Sequence, residues 1–528
     1  MFAGTGSDVG KSIIAAAFCR ILLQDGYHPA PFKAQNMALN SFATPDGLEI
    51  GRAQAVQAEA AGIPCHTDMN PLLLKPQSDH TSQVVLHGRP IGNRDAYDFW
   101  RTPQPSASPG NADRLLSKLL NSQTPKLPDT HADRLSSKLL NSQTPKLPQI
   151  DFRREVCKAY DRLAARYQPI VMEGAGSISE INLRHHDLVN MPMARHARAR
   201  VILVGDIDRG GVFASVYGSI ALQTPEDRRL IRGIIINKFR GDMRLFDEGR
   251  RMLEEICGVP VLGVIPYFNH IHIEEEDSVS LAMKSKQLAQ GKVNVAVIML
   301  KHLSNFTDFD VLERDARLHL FYTNNVDDIR QADIIILPGT KSTLDDLYEI
   351  RRNGVAQAIL RARREGATVL GICGGYQMMG QEVCDPQHVE GDIDRLPGLG
   401  LLPVSTVMAG EKVTRQVSFN GGMHGYEIHQ GETMPVEGAA PSPLNHLADG
   451  RTDGYLADEK CMGTYIHGIL DNPAFVNRLL KPYEAQLSAA DTPFDYAAYK
   501  QQQYDLLADH VRRYVDMDRF YQILRDDE

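Results

Sequence analysis

Closely spaced cysteines are missing from this chain. Its seven cysteines are spread singly over 528 residues, and no C-x-x-C pair occurs. Structural zinc sites and disulfide scaffolds both depend on cysteines at short, regular spacings. We therefore expect neither a zinc centre nor disulfides, and the cysteine pattern favours a reducing cytoplasm.

Long apolar runs and an excess of positive charge are also lacking. No run approaches the roughly 18 apolar residues that a membrane span needs, and no charged-then-apolar signal segment is found. The formal net charge is -9 and the isoelectric point is near 6.1. Because nucleic acid and anionic membranes attract basic surfaces, neither is an expected partner, and the missing signal and membrane segments predict a cytoplasmic protein. The sequence leaves the oligomeric state open.

The length indicates two domains, because a single hydrophobic core stops growing at about 250 to 300 residues. Short β-rich runs bounded by Gly or Pro alternate with amphipathic segments, a pattern typical of buried parallel strands in an α/β fold. The runs are VILVGDI (201–207), GIIINKF (233–239), VNVAVIML (293–300), ADIIILPG (332–339) and ATVLGICGG (367–375). The polar stretch at 284–292 predicts a linker between domains at 1–283 and 293–528.

A repeat of 20 residues interrupts the first domain. ADRLLSKLLNSQTPKLP at 112–128 recurs at 132–148 with one change, Leu116 against Ser136. A stable solenoid needs at least about three repeats. We therefore interpret residues 103–148 as a duplicated surface insertion.

The start of the chain carries a phosphate-binding motif, GTGSDVGKS, from Gly4 to Ser12. Glycines such as Gly6 and Gly10 let backbone N–H groups turn toward phosphate oxygens at a helix N-terminus. Lys11 would reach the terminal phosphates and Ser12 would bind Mg²⁺, so ATP and Mg²⁺ are the predicted ligands. The motif is one residue longer than the standard P-loop and resembles the dethiobiotin synthetase branch. Only three residues precede it, so we expect either that the true start lies upstream or that the first strand is short.

Polar residues follow three other strand-like runs. Glu173 ends the run PIVME, whereas Asp206 and Asp208 follow VILVG. A carboxylate at the carboxyl end of a strand can bind Mg²⁺ opposite a P-loop. An acidic residue there is more often a helix cap, but the P-loop favours Glu173 as a metal ligand beside Ser12. By resemblance to the same ATPase branch, Asn237 in GIIINKF would recognise adenine.

The segment FKAQNMALNS, residues 32–41, gathers polar side chains after a further strand-like run. Its candidate binding residues are Lys33, Gln35, Asn36 and Asn40. Such a cluster can hold a polycarboxylate while it is phosphorylated. The spacing alone leaves a solvated loop equally open.

The second domain contains a nucleophile motif. Gly371, Cys373 and Gly375 form G-x-C-x-G after an apolar run and before a helical one. This is the cysteine version of a nucleophile elbow, in which glycines permit a cramped turn. A helix N-terminus beside a histidine favours the reactive thiolate, so Cys373 is the predicted nucleophile.

The histidine that assists Cys373 must come from elsewhere in the chain. His467 in GTYIHGILDN is the best candidate, with His429 and His424 as rivals. Resemblance to class I glutamine amidotransferases selects His467. Triad-bearing members have a glutamate two residues past the histidine, but Ile469 occupies that position here. The resemblance therefore implies a Cys–His pair and leaves the group that orients His467 unpredicted.

Acyl transfer at a thiol also needs an oxyanion hole, formed by two N–H donors. Gly374 supplies one backbone donor by its position next to Cys373. Gly339 and Thr340 in ILPGTKST, at the end of a strand-like run, are candidates for the other.

In their order and spacing, these motifs resemble the cobyric acid synthase family of glutamine-hydrolysing amidotransferases. The resemblance covers the chain except for the duplicated insertion and the short start. It is carried by QNMALNS, GRAQAVQAEAAG, VMEGAGSISEINL, GDIDRGGVFAS, INKFRGD, LPGTKST, GICGGYQMMG, GYEIHQG and GTYIHGILDN. It implies a dethiobiotin synthetase-like P-loop domain followed by a class I glutamine amidotransferase-like domain.

The resemblance also implies an activity. Cys373 and His467 would release ammonia from glutamine, while ATP with Mg²⁺ activates the acceptor. The implied acceptor is adenosylcobyrinic acid a,c-diamide, amidated at its b, d, e and g carboxylates to adenosylcobyric acid.

Three other functions share parts of this pattern. Cobyrinic acid a,c-diamide synthases resemble both halves but differ in the QNMALNS segment. A regulatory P-loop ATPase would have no use for the Cys373 motif. A dethiobiotin synthetase-like carboxylase would leave the second domain without a purpose.

Overall fold

The structure is a computed structural model that describes residues 1–77, 81–95, 150–274, 288–408, 410–487 and 494–526. The predicted insertion at 103–148 and residues 284–287 of the predicted linker lie outside these ranges. Within the described ranges, no helix combines the length and the apolar character needed to cross a membrane.

A parallel sheet forms the centre of the first domain. Four strands pair in the order Phe2–Gly4, Val201–Asp206, Ile231–Phe239 and Val261–Pro266. The parallel pair Ala30–Phe32 and Ile170–Met172 joins this sheet through a bridge between Phe2 and Glu173. Because the strands are parallel, their carboxyl ends lie at one edge. The P-loop, Glu173 and Asn237 therefore meet there.

Helices and smaller sheets complete the first domain. Its α-helices are Lys11–Gln24, Arg52–Ala60, Phe152–Ala164, Met191–His196, Val212–Ala221, Pro225–Leu230 and Asp247–Cys257. Short 3₁₀ helices lie at Thr67–Met69, Ile181–Leu183 and Met243–Phe246. A four-stranded sheet contains Gln35–Met37, Leu72–Pro76, Thr81–Leu86 and Arg89–Asp95, and a hairpin joins Ser41–Ala43 to Glu49–Gly51.

The second domain is built on a six-stranded sheet. Its order is Leu318–Thr323, Val293–Ile298, Ile334–Leu337, Thr368–Ile372, Cys461–Thr464 and Tyr455–Asp458, and only the last strand is antiparallel to its neighbour. The isoleucine and valine runs that predicted these strands are buried in the core. The predicted α/β fold class is thereby confirmed in both domains.

Shorter elements surround that sheet. The α-helices are Asp310–Arg314, Val326–Gln331, Thr343–Arg352, Val355–Arg364, Gly374–Met379 and Pro473–Leu480, with 3₁₀ helices at Phe306–Phe309, Ile469–Asp471 and Lys481–Gln486. A second sheet contains Glu382–Cys384, Arg395–Pro397, Val404–Val407 and Glu432–Pro435, and a third contains Val413–Phe419, Met423–His429 and Ile466–His467. A two-stranded pair joins Asn445–His446 to Thr452–Asp453.

The last two helices, Tyr496–Tyr514 and Met517–Arg525, pack against the first domain. Leu507 belongs to the same buried cluster as helix Lys11–Gln24, and the rings of Phe18 and Phe520 are 4.5 Å apart. The chain therefore returns to its N-terminal core after the second domain. The range 293–528 predicted from the sequence includes these helices in the second domain. An amphipathic pattern does not indicate which domain's core the apolar face of a helix contacts.

The hairpin Ser41–Gly51 joins the two domains. Gln416 of the second domain donates a hydrogen bond to the carbonyl of Ala43 at 3.0 Å. Glu49 lies 2.8 Å from the ammonium of Lys75 in its own domain and 2.5 Å from that of Lys412 in the other. This hairpin brings the segment after Lys33 close to the thiol side of the second domain.

Candidate functional site

The P-loop wraps the start of helix Lys11–Gln24. Gly10 has φ 93°, and a Cβ at this position would lie 2.2 Å from Nδ2 of Asn237. Only glycine accepts both the left-handed backbone and this close approach. Lys11 Nζ donates to the carbonyls of Gly6 and Gly176 at 2.8 and 2.9 Å. The ammonium group of Lys11 therefore lies along the loop. A bound phosphate would compete with these two carbonyls for its hydrogen bonds.

Glu173 is the centre of a buried polar cluster beside the P-loop. Its carboxylate accepts hydrogen bonds from Ser12 (2.8 Å), Lys33 (2.8 Å) and Gln57 (2.6 Å). Burial raises the pKa of Glu173, but Lys33 and the two other donors outweigh it and hold the pKa below its usual range. The carboxylate is therefore ionised at neutral pH.

The oxygen atoms of Ser12 and Glu173 fit the donor set that Mg²⁺ prefers. Magnesium is usually held by one or two protein oxygens, with phosphate and water oxygens completing the octahedron. Within the described ranges, no group of three or more His, Cys, Asp or Glu side chains could hold a metal ion. Ser12 and Glu173 would therefore supply two protein oxygens, and phosphate and water would supply the other ligands.

Asn237 and Asp206 reach the same edge of the sheet. Asn237 Nδ2 donates to the carbonyl of Val9 in the P-loop at 2.9 Å. Asp206 pairs with Lys238 at 3.0 Å, and Asp208 pairs with Arg240 at 2.6 Å. Glu173 is thus the acid that contacts Ser12, while the two aspartates bind basic side chains.

The polar segment 33–40 divides between two places. Lys33 lies on Glu173, and Asn36 donates to Gln54 at 3.2 Å, so both stay near the phosphate side. Within the described ranges, Oε1 of Gln35 is buried without a hydrogen-bond partner. Asn40 is only 1% exposed and accepts from the backbone N–H of Phe306 at 3.1 Å. The structure therefore places Asn40 in the domain interface, whereas the sequence had grouped it with Lys33.

Cys373 occupies a strained turn between strand Thr368–Ile372 and helix Gly374–Met379. Its φ of 53° is left-handed, as expected for a nucleophile elbow. A Cβ on Gly375 would lie 1.9 Å from the carbonyl oxygen of Leu337, which explains the second glycine of the motif. The thiol is nearly buried and lies 3.5 Å from the carbonyl of Ile428.

His467 lies beside Cys373 and is held by an aspartate. Its Nδ1 is 2.6 Å from Oδ2 of Asp308, and the other carboxylate oxygen accepts from the Gly468 N–H at 3.1 Å. Burial lowers the pKa of His467, but Asp308 outweighs it and, with a hydrogen bond to Cys373, raises the pKa to about 10. The imidazole is therefore protonated at neutral pH.

The two rival histidines have other surroundings. His429 stacks on Tyr465 with ring centroids 3.8 Å apart, and burial lowers its pKa to about 3. His424 is exposed and contacts Ser418 at 3.0 Å. Of the three candidates, only His467 combines a contact to the thiol with a carboxylate partner.

The three oxyanion-hole candidates lie around the elbow. A Cβ on Gly374 would be 3.2 Å from the Thr340 nitrogen, and one on Gly339 would be 3.1 Å from Cε1 of His467. Gly374 opens its helix, so its N–H has no partner within that helix. Gly374 therefore lies beside Thr340, and Gly339 lies beside the ring of His467.

A polar cavity adjoins Cys373. Its lining includes Lys341, Glu390 and Lys412 of the second domain and Lys75 of the first. Burial lowers the pKa of Lys341 and raises that of Glu390 to about 7. A ligand with both an ammonium and a carboxylate would stabilise these two side chains in their charged forms.

A larger cavity of about 820 Å³ lies elsewhere, with Met1, Phe2, Tyr27 and Arg200 in its lining. Met1 precedes the first strand, so this cavity is at the amino end of the sheet. The P-loop follows the carboxyl end. None of the predicted site residues lines this larger cavity.

Comparisons with known proteins agree with this arrangement. Residues 1–281 match the family described as "CobQ/CobB/MinD/ParA nucleotide binding domain", and residues 294–475 match the "CobB/CobQ-like glutamine amidotransferase domain". A cobyric acid synthase of Bacteroides fragilis is 65% identical over 533 residues, covering 100% of this chain and 98% of the relative. The chain belongs to the cobyric acid synthase family.

More distant relatives are similar over the same extent. A cobyric acid synthase of Parabacteroides distasonis is 53% identical, covering 100% of this chain and 98% of the relative. One of Salmonella agona is 42% identical and covers 99% of this chain and 98% of the relative. The family resemblance and the order of a nucleotide-binding domain and a glutamine amidotransferase domain are therefore confirmed.

Some site residues of this family member were not predicted from the sequence. Asp308 is 159 residues from His467, and no spacing rule connects them. Gln57 contacts Glu173 from a helix whose motif, GRAQAVQAEAAG, repeats glutamine at a helical interval of three. That interval was a usable signal, since residues three apart share a helix face.

Proposed function

We propose that this chain is a cytoplasmic amide synthetase of cobalamin biosynthesis. It uses ATP and glutamine to amidate the b, d, e and g carboxylates of adenosylcobyrinic acid a,c-diamide, giving adenosylcobyric acid. The observation that carries the proposal is the arrangement of Cys373, His467 and Asp308 in the same chain as a P-loop whose Ser12 contacts a buried Glu173. The names of the full-length relatives support the corrinoid as acceptor.

The first reaction releases ammonia. The Cys373 thiolate attacks the side-chain amide carbon of glutamine, and the oxyanion accepts backbone N–H bonds from Gly374 and from Gly339 or Thr340. Protonated His467 donates its proton to the departing nitrogen, which leaves as ammonia. His467 then takes a proton from water, whose oxygen attacks the thioester carbon. Glutamate leaves and the thiolate returns.

The cavity beside Cys373 suits the other end of glutamine. Its α-ammonium group would pair with Glu390, and its α-carboxylate would pair with Lys341. Thr343 N–H donates to Glu390 at 2.7 Å, which fixes that carboxylate at the cavity wall. Glutamine without its charged end should consequently bind poorly.

The second reaction activates the acceptor. A corrinoid carboxylate oxygen attacks the terminal phosphorus of ATP, and ADP leaves with the bridging oxygen. Ammonia then attacks the acyl carbon, phosphate leaves, and one proton is released as the amide forms. Lys11 would stabilise the charge on the transferred group, and Mg²⁺ held by Ser12 and Glu173 would neutralise phosphate charge. Lys33, Gln35 and Asn36 would hold the polycarboxylate, and Asn237 would bind adenine.

Mass spectrometry tests this proposal. The purified chain, with ATP, Mg²⁺ and glutamine, receives adenosylcobyrinic acid a,c-diamide or adenosylcobyrinic acid, and the added amides are counted. We expect four amidations of the diamide. Conversion of the acid to its a,c-diamide alone would establish the alternative activity, cobyrinic acid a,c-diamide synthase. ATP hydrolysis without any amide would indicate the regulatory ATPase.

A further inference from the structure

The loop that carries Asp308 depends on hydrogen bonds from the other domain. Asp308 lies in the short 3₁₀ helix Phe306–Phe309, and the residue before this helix, Asn305, has a left-handed φ of 52°. No side-chain cap from Asn305 satisfies the free N–H groups at the start of the helix. The N–H of Phe306 instead donates to Oδ1 of Asn40 in the first domain at 3.1 Å.

A second contact supports the same loop from the same segment. Nδ2 of Asn305 donates to the carbonyl of Ser41 and to the hydroxyl of Tyr426, both at 3.0 Å. Asn40, Ser41 and Asn305 are all at most 4% exposed. Water therefore cannot readily replace these bonds, and breaking one leaves a buried polar group unpaired.

The ring of His467 receives support through the same hairpin. Tyr426 stacks on His467 with centroids 5.4 Å apart, and Phe42 packs edge-on against Tyr426 at 4.6 Å. Phe42 follows Ser41 in the chain. One set of contacts therefore runs from the first domain to the loop that carries Asp308. A second set runs through Phe42 and Tyr426 to His467.

We propose that Asn40, with Ser41 and Phe42, positions Asp308 and His467 for reaction at Cys373. The thiol site is then complete only when the hairpin of the first domain is docked. Asn40 acts through Asp308 and does not touch the reacting atoms. This inference rests on the proposed roles of Cys373 and His467, although its main test does not require glutamine turnover.

Alkylation of Cys373 by iodoacetamide measures the proposed effect directly, because only the thiolate reacts quickly. Asn40→Ala in the full chain should lower the alkylation rate at pH 7 about tenfold. For comparison, a displacement of about 1 Å in a catalytic group can lower the reaction rate about 100-fold. Asn40→Asp keeps the acceptor oxygen and should recover part of the rate. Asp46→Ala, in the exposed turn of the same hairpin, should react like the unsubstituted chain.

Glutaminase kinetics give a second measurement. We expect kcat to fall about tenfold in Asn40→Ala and the KM for glutamine to stay within about twofold. Asn305→Ala removes the second contact, in which Asn305 donates to the Ser41 carbonyl and the Tyr426 hydroxyl, and should reproduce both changes. It also provides the test if Asn40→Ala does not fold.

Two results would overturn the proposal. One is an alkylation rate in Asn40→Ala and Asn305→Ala equal to that of Asp46→Ala. The other is unchanged alkylation with a weakened acceptor KM, which would return Asn40 to the corrinoid site. If the unsubstituted chain releases no glutamate, the proposed function fails, yet the alkylation comparison still decides the role of Asn40.

Discussion

The two reacting centres differ in what already holds their charged side chains. At the nucleotide site, Lys11 donates to two backbone carbonyls and Glu173 accepts from three side chains. At the thiol site, Asp308 fixes His467, and the backbone turn fixes Cys373. In the proposed reactions, a nucleotide would therefore have to replace existing hydrogen bonds, whereas glutamine would meet side chains that are already in position.

This difference would allow one chain to carry out the two proposed reactions at separate centres. Preorganised charges stabilise a transition state without further rearrangement. Paired charges that must first separate make the nucleotide site responsive to its ligand. We expect substitutions at the thiol site to impair chemistry, and those at the P-loop to impair ligand-dependent activation.

The largest effect should come from removing the thiol. Cys373→Ala is expected to lower glutamate release by at least about 10⁴-fold, because no other group can form the thioester. Amidation with ammonium salt in place of glutamine should persist within about fivefold. Parallel assays of glutamate and amide measure both. Cys384→Ala, a partly exposed cysteine, is the control, and loss of ammonium-dependent amidation would contradict separate centres.

Removing the P-loop lysine should produce the reciprocal result. We expect Lys11→Ala to lower amide formation about 10³-fold, since the charge on the transferred phosphoryl group loses its cation. Glutamate release should change less than about twofold. Lys158→Ala, a surface lysine on helix Phe152–Ala164, serves as the control. Equal loss of both activities would show that the comparison between the centres is wrong.

Asp308→Asn should reduce glutamate release by roughly 100-fold, because the amide cannot stabilise protonated His467. The pKa of His467 is raised from 6.5 to about 10, mainly by Asp308 acting against burial. The stabilisation from this pair is fully present below about pH 6.5 and is lost as pH rises through about 10. Without the carboxylate the pKa of His467 should be lower, so the alkaline loss of glutaminase activity should begin at a lower pH in the variant. A pH–rate profile with an unmoved alkaline limb would contradict this role.

The smallest effect is expected at His429. Its pKa is lowered to about 3 by burial, so it is uncharged during turnover. His429→Ala should lower glutamate release less than about tenfold, through lost stacking on Tyr465, whereas His467→Ala should cost far more. Steady-state rates of the two variants make the comparison. A loss at His429 as large as that at His467 would reverse their assignment.

The sequence predicted the features whose chemistry is local. The Cys373 elbow and the P-loop are each contained in a short run of residues, so the spacing of their glycines can be read directly from the sequence. The parallel strands were also predictable, because they are continuous apolar runs. Glu173 and Lys33 follow such strands, so their meeting at one edge of the sheet follows from topology.

Contacts between distant segments could not be predicted in this way. Asp308 is an ordinary aspartate of a loop until the fold brings it to His467. Asn40 lies in a polar run with Lys33, and its burial depends on a second domain docking over the hairpin. The helices Tyr496–Tyr514 and Met517–Arg525 follow the second domain in sequence, yet the aromatic and aliphatic surface that they cover belongs to helix Lys11–Gln24.

The returning C-terminal helices have a consequence for biosynthesis of the chain. Domains generally fold as units during synthesis, with N-terminal ones first. Here the apolar face of Lys11–Gln24 gains its Leu507 and Phe520 neighbours only after helices Tyr496–Tyr514 and Met517–Arg525 have left the ribosome. The first domain is therefore completed after the second. The strands of the second domain between 293 and 467 can assemble while the apolar face of Lys11–Gln24 is still exposed to solvent.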